Sequence, residues 1–446
     1  MRKVKEMQNK ESIVLETTKQ DSETSDQKWS WVEATIWTDR MLAALGNGVQ
    51  GGKWYSLIDK VYRPTTLKAA WAKVRANRGT AGIDGQSVSK FERHAARYLD
   101  ELRGALIEGS YRPASVKRVE IPKGQGQMRP LGIPTVKDRI VQAAVKMVVE
   151  PIFEATFVEH SYGFRPQRGA KDALREVNRL IKEGYHYVVD ADLKCYFDTI
   201  PHEGLCARLQ ERISDKQVLA LMDGWLKQKV VTETENWTPV RGSPQGAVIS
   251  PLLANLYLHP LDLQMKESRY CMVRYADDFV VMCKTEQEAQ AALEDICKWV
   301  EANGLTLHPG KTHIGDCRIE GQGFDFLGYR FEAGEKRIRK KSWTKLTDRI
   351  REKTRRCRGD SIVMIINDLN PMLRGWFNYF KHAKLQTLTR VDGMVRRRLR
   401  AILRKQQKRP GRGITLADHK TWPNTYFAAL GLFTLKEAHG LASRSR

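Results

Sequence analysis

The chain has 446 residues, 41% of them hydrophobic and 29% charged, enough apolar material to bury a sizeable core in two or three domains. No apolar run approaches transmembrane length, no signal peptide is visible at Met1, and Cys195, Cys206, Cys271, Cys283, Cys297, Cys317 and Cys357 form no Cys-x-x-Cys pair. These features argue against a membrane protein and a structural zinc site, and predict reduced thiols in a cytoplasm. The formal charge is +24 and uneven: residues 336–446 hold 29 Lys+Arg against 7 Asp+Glu, which predicts a salt-sensitive partnership with a polyanion such as nucleic acid.

Residues 1–29 are polar and charged, and are expected to be disordered or to fold on a partner. Residues 30–64 carry Trp and Gly without a usable motif. Helix-forming sequence from Thr65 to Gly109 contains Gly79-Thr80-Ala81-Gly82-Ile83-Asp84-Gly85. The apolar strand Tyr187-Val188-Val189 then runs into Asp190, Asp192, Tyr196, Phe197 and Asp198. Farther on, Met272-Val273 and Phe279-Val280-Val281-Met282 predict the two strands of a hairpin with Ala276-Asp277 near its tip. Ala289, Leu293, Ile296 and Val300 define a buried helical stripe ending at Gly304, and Gly334-Glu335 mark a link into a C-terminal region. There Val395, Leu399, Ile402 and Leu403 recur at helical spacing, with Arg396, Arg397, Arg398, Arg400, Arg404 and Lys405 between them. This predicts an amphipathic helix whose apolar stripe docks on a core while its cations meet RNA phosphates.

Adjacent carboxylates at a hairpin tip, Asp277 and Asp278, are badly placed unless a cation sits there; the alternative is a solvated Asp-Asp turn. The upstream acids look like half of a metal site: two-metal phosphoryl transfer would need carboxylates from separate strands converging to hold ions about 4 Å apart. Asp190 and Asp192 share a strand face, so alternation does not choose between them.

An acid-Leu-Lys-x-x-Phe-Asp strand, then Ser243-Pro244-Gln245-Gly246, then Tyr275-Ala276-Asp277-Asp278 is the ordered motif series of reverse transcriptases. More narrowly, the chain resembles group II intron-encoded reverse transcriptase/maturases. The supporting blocks are Tyr111-Arg112-Pro113, Ile121-Pro122-Lys123, Arg129 to Thr135, Ser161-Tyr162-Gly163-Phe164-Arg165-Pro166, Ser250-Pro251-Leu252-Leu253-Ala254-Asn255, Phe326-Leu327-Gly328-Tyr329 and Leu369 to Phe380.

The resemblance implies an α+β right-hand polymerase: fingers and a palm with an antiparallel sheet flanked by helices, then an α-helical thumb. Its divisions would be a tail (1–29), an N-terminal extension (30–109), fingers and palm (110–331) and a basic, RNA-binding maturase-specific X/thumb domain (336–446). It further implies two Mg²⁺ ions on Asp192, Asp277, Asp278 and the Leu193 carbonyl. Lys117, Lys123, Arg129, Phe197, Gln245 and Lys311 would contact the nucleotide, with Phe197 as steric gate. The implied activity is RNA-directed DNA synthesis with assistance to splicing and retrohoming. The implied partners are intron RNA and template RNA, DNA primer or target, and dNTP, with no membrane. The paired cysteines and histidines of the endonuclease found in longer relatives are not seen, so target-strand cleavage is not expected. A splicing-only RNA-binding maturase and a domesticated reverse transcriptase serving defence or repair share these motifs; the intact acids argue against the first.

Overall fold

The computed structural model describes residues 28–124 and 127–444. Its strands are β1 (Val116–Gly124), β2 (Gln127–Ile133), β3 (Tyr187–Asp192), β4 (Val230–Val231), β5 (Asn236–Trp237), β6 (Cys271–Tyr275), β7 (Asp278–Cys283), β8 (His313–Asp316), β9 (Phe324–Phe326), β10 (Tyr329–Glu332) and β11 (Glu335–Ile338). Among the described residues they form sheets ordered β2-β1-β4-β5, β6-β7-β3-β8 and β11-β10-β9.

The chain divides into two compact units, the first comprising residues up to 183 with 191–313, the second 184–190 with 314 onward. In the first, the helix Val136–Glu154 is buried nearly all round, the polar Asp138, Arg139 and Gln142 included. It starts at Thr135, whose hydroxyl accepts from the Asp138 N–H. The hairpin predicted around Ala276-Asp277 is present: β6 and β7 pair from Cys271 opposite Met282 to Tyr275 opposite Asp278, leaving those two residues as the turn. Phe279 to Cys283 are all buried, as a strand with neighbours on both edges and cover on both faces requires. The helix predicted from Ala289, Leu293, Ile296 and Val300 spans Glu286–Ala302; Leu293 is half-buried, while Ala292 and Trp299 widen the stripe.

Residues 1–27 of the predicted tail lie outside the described residues, and Trp29 at its end is 7% exposed, its ring 6.0 Å from that of Trp31. The segment that offered no motif is anchored by apolar burial: Trp37 is enclosed, its indole N–H donating to the Met147 carbonyl at 3.1 Å.

In the second unit, Gly334-Glu335 prove to be a hairpin turn and the start of β11, not a link. Ala333 and Gly334 have φ of 50° and 71°, the left-handed pair that closes a two-residue hairpin between Glu332 and Glu335. The β9-β10-β11 meander groups with the helices after it because Tyr329 packs on Phe380 (centroids 5.1 Å) and donates its hydroxyl to the Tyr379 carbonyl at 3.2 Å. Val395, Leu399, Ile402 and Leu403 are buried with Leu369, Phe377, Trp422 and Phe427 in the core, on the helix Leu385–Gln406. No helix among the described residues is long and apolar enough to cross a membrane, and all seven cysteines are free thiols.

Candidate active site

β3 stops at Asp192, and the segment 306–312 is laced to that end. The His308 N–H donates to the Asp192 carbonyl at 2.7 Å and the Lys194 N–H to the Thr306 carbonyl at 2.8 Å, around a Leu193–Leu307 bridge whose bonds leave out the Leu193 carbonyl. The His308 carbonyl then accepts from the N–H groups of Lys311 (3.0 Å) and Thr312 (3.1 Å). This turn carries the Lys311 ammonium onto Asp192 Oδ2. Alternation along β3 left Asp190 and Asp192 equivalent; of the two, Asp192 lies at the strand end and carries the Lys311 contact.

The Ala276-Asp277 turn is strained. Ala276 has φ of 61°, a left-handed value that costs a residue with a Cβ about 1–3 kcal/mol. The segment Ser161-Tyr162-Gly163 lies directly against it, the Tyr162 N–H donating to the Arg274 carbonyl at 2.8 Å and the Arg274 N–H to the His160 carbonyl at 3.0 Å. A side chain at Gly163 would collide with the Ala276 nitrogen and come 2.8 Å from the Tyr275 carbonyl carbon, so only glycine allows the approach.

Burial pushes the Asp277 carboxyl above its ordinary pKa; the negative charge of Asp192 adds to this, while Arg129 and Arg274 pull the other way. Asp192 and Asp277 are therefore electrostatic neighbours although 85 residues apart in sequence. Asp278 begins β7 half-buried, and among the described residues no group of three or more His, Cys, Asp or Glu side chains forms a ready cage for an ion. Asp192 and Asp277 are the two carboxylates that the electrostatics couple directly. That donor set suits Mg²⁺, a hard cation commonly held by one or two carboxylates with substrate phosphates completing the shell. The negative charge of Asp192 felt at Asp277, and the ammonium drawn to Asp192, mark a place where positive charge is favoured.

After Asp192 the backbone turns through Cys195 (φ 50°) into a short helix, Tyr196–Thr199, that carries Phe197. Its ring is 9% exposed and packs edge-on to Phe164 at 6.4 Å, and its carbonyl accepts from the Ser243 N–H at 2.7 Å. Sequence reasoning missed His202, whose Nε2–H donates to the Gly242 carbonyl at 2.7 Å and so fastens the Ser-Pro-Gln-Gly loop beside Phe197. The only signal was a histidine next to Pro201 at a helix start. Gly246, at φ 106°, lies against the Gly132 carbonyl of β2, while the Gly132 N–H donates to the Gln245 carbonyl at 2.6 Å.

Gln245 links β2 to the short helix Tyr196–Thr199: its Oε1 accepts from Arg129 Nε at 2.7 Å and its Nε2 donates to Asp198 Oδ2 at 3.4 Å. Beside it opens a cavity of about 350 Å³ whose lining includes Arg118, Cys195, Asp198, Trp237 and Arg241. Burial raises the Asp198 carboxyl pKa against the opposing charges of Arg118 and Arg129. Lys117 is exposed and not part of that lining; alternation along β1 turns Arg118 inward, over the Trp237 ring at 5.3 Å. Arg118, not Lys117, is the strand cation facing this cavity. The Lys123 side chain lies outside the described residues.

Residues 121–331 match the reverse transcriptase (RNA-dependent DNA polymerase) family and residues 343–419 the group II intron maturase-specific domain. This chain belongs to the group II intron-encoded reverse transcriptase/maturases. It is 33% identical over 332 residues to Protein YkfC of Escherichia coli, covering 64% of this chain and 84% of that one. Identity to the group II intron-encoded protein LtrA of Lactococcus lactis is 36% over 210 residues, 46% of this chain and 34% of LtrA. The Putative COX1/OXI3 intron 1 protein of Saccharomyces cerevisiae is 27% identical over 410 residues, 78% of this chain and 48% of the yeast protein. The match thus spans about a third of LtrA and half of the yeast protein.

In this reverse transcriptase/maturase the basic helix of the maturase domain splits into two sets. Arg400 is 2% exposed and donates to the Trp422 carbonyl and Asn424 Oδ1, both at 2.9 Å, over the Phe427 ring. Its guanidinium is consumed inside the unit, which removes it from the RNA-binding candidates. Arg398 bonds Thr354 and the Arg351 carbonyl, and Arg404 pairs with Asp418. Arg397 and Lys405 are exposed and Arg396 half-buried.

Proposed function

We propose that the first unit synthesises DNA on an RNA template by attack of a primer 3′-oxygen on the α-phosphate of a dNTP, with pyrophosphate leaving. The carrying observation is the electrostatic coupling of Asp192 to Asp277 beside Lys311. Asp192 and Asp277 would hold Mg²⁺, with Asp278 and the Leu193 carbonyl as further oxygen donors. When bound, two such ions supply Lewis-acid stabilisation of the charge that develops on the attacking and leaving oxygens. Lys311, released from Asp192, meets the departing pyrophosphate. Arg129 steadies Gln245 against the base pair and offers its guanidinium to the triphosphate, a role for which its planar fork suits it better than the Lys117 ammonium. Phe197 excludes a 2′-hydroxyl from the sugar site.

The second unit binds intron RNA through shape and backbone contacts, assisting its splicing and, with DNA synthesis, its insertion into DNA. Primer extension on an RNA template by wild type and Asp277→Asn tests the enzyme assignment. The variant is expected to lose about 10²-fold or more in rate, as when a preorganised charge is removed from a developing transition state. Equal extension by both proteins overturns it. Splicing assistance needs no carboxylate and should survive in the same variant.

A further inference from the structure

Three blocks singled out in the sequence, around Gly163, Asn255 and Arg274, meet at one buried guanidinium. Arg274 is 1% exposed, Asn255 1% and Asp262 4%. Arg274 grips Asp262 with both prongs, Nε to Oδ1 at 2.7 Å and Nη2 to Oδ2 at 2.5 Å. Its remaining nitrogen, Nη1, donates to Asn255 Oδ1 at 3.0 Å and to the Ala276 carbonyl at 2.8 Å. Asn255 Nδ2 in turn donates to the Gly163 carbonyl at 2.7 Å. Both sides of the close approach between Gly163 and the strained turn are thereby held by a single arginine–asparagine pair.

Burying an ion pair is a costly way to fill a core, since apolar residues of similar volume are often as good or better. Burial opposes the Arg274 charge, and the Asp262 carboxylate outweighs it, holding the guanidinium above its ordinary pKa. An arginine fits because one planar group has to reach a carboxylate, an amide and a main-chain carbonyl at once; an ammonium has no such fork.

We propose that Arg274, oriented by Asp262 and Asn255, is a positioning residue: it locks Ala276 in its left-handed conformation and so sets the affinity of the adjoining Asp277 for divalent cation. This rests on the polymerase reading above. Supporting residues of this kind typically change metal affinity or activity by about 10- to 100-fold when removed.

The test uses the full chain with Arg274→Met/Asp262→Leu, which strands neither charge, and separately Asn255→Ser and Arg274→Lys. Thermal unfolding, Mn²⁺ binding by electron paramagnetic resonance, and kcat and KM for dNTP are measured. The folded double variant is expected to lose about 10- to 100-fold in Mn²⁺ affinity and in kcat, with KM for dNTP retained. Arg274→Lys should restore neither. A folded double variant with wild-type Mn²⁺ affinity overturns the proposal, as does a loss of stability with Mn²⁺ affinity unchanged. If the double variant does not fold, Asn255→Ser decides on the same readouts. Wild-type protein that binds Mn²⁺ but extends no primer sinks the polymerase reading and is thereby distinguished from failure of the positioning claim.

Discussion

Phe197 is held on three sides: by the Phe164 ring, by Tyr196 at 5.7 Å, and through its own carbonyl by Ser243. A ring so fixed has little freedom to swing aside for a 2′-hydroxyl. Phe197→Ala is therefore expected to raise kcat/KM for a ribonucleotide relative to the matching dNTP by about 10- to 200-fold, the range one filled or emptied steric contact controls. Steady-state incorporation of both nucleotides opposite one template base checks this, and an unchanged ratio removes the gate role. Residue identity at this site was legible where a motif fixed it, and illegible where one strand position decided it. Lys117 and Arg118 are both cations in β1, but a one-residue step turns a side chain to the opposite face. Which of the two faces the cavity is set by β4 and the Gln245 loop, which lie far along the chain.

The same contrast holds for whole elements. The β6–β7 hairpin announces itself by two apolar runs on either side of Ala276-Asp277, yet nothing local shows that its turn is left-handed at an alanine, because the cause lies at Gly163 and Arg274. The helix Leu385–Gln406 likewise shows its apolar stripe by spacing alone, while the burial of Arg400 depends on Trp422 and Asn424 in a later segment. Arg400→Met is accordingly expected to destabilise the protein by about 1.5–3 kcal/mol, the worth of hydrogen bonds from a charged group. Exposed Arg397→Gln should stay within about 0.5 kcal/mol of wild type. Chemical denaturation followed by tryptophan fluorescence separates the two. Equal stability of both variants contradicts a structural role for Arg400.

At the scale of the whole molecule, the charge is the feature that no core requirement explains. Excess cations repel one another, so a stretch with 29 basic and 7 acidic residues destabilises itself unless something offsets it. Some of the 29 cations are paired within the second unit, Arg404 with Asp418 and Arg358 with Asp368. Among the cations left exposed in and just after the helix Leu385–Gln406 are Arg397, Lys405, Lys408 and Arg412, which we propose as the ones that meet phosphates. Changing these four to Gln together leaves the buried core of Leu388, Val395, Leu399 and Ile402 untouched, which deleting the unit does not. If all four meet RNA phosphates, the slope of log affinity against log salt should flatten by about 0.7 per contact on single strands and 0.9 on duplex. Filter binding of a structured RNA between about 50 and 200 mM salt resolves a change of that size. A slope equal to wild type, with affinity lowered or not, places the RNA on another surface.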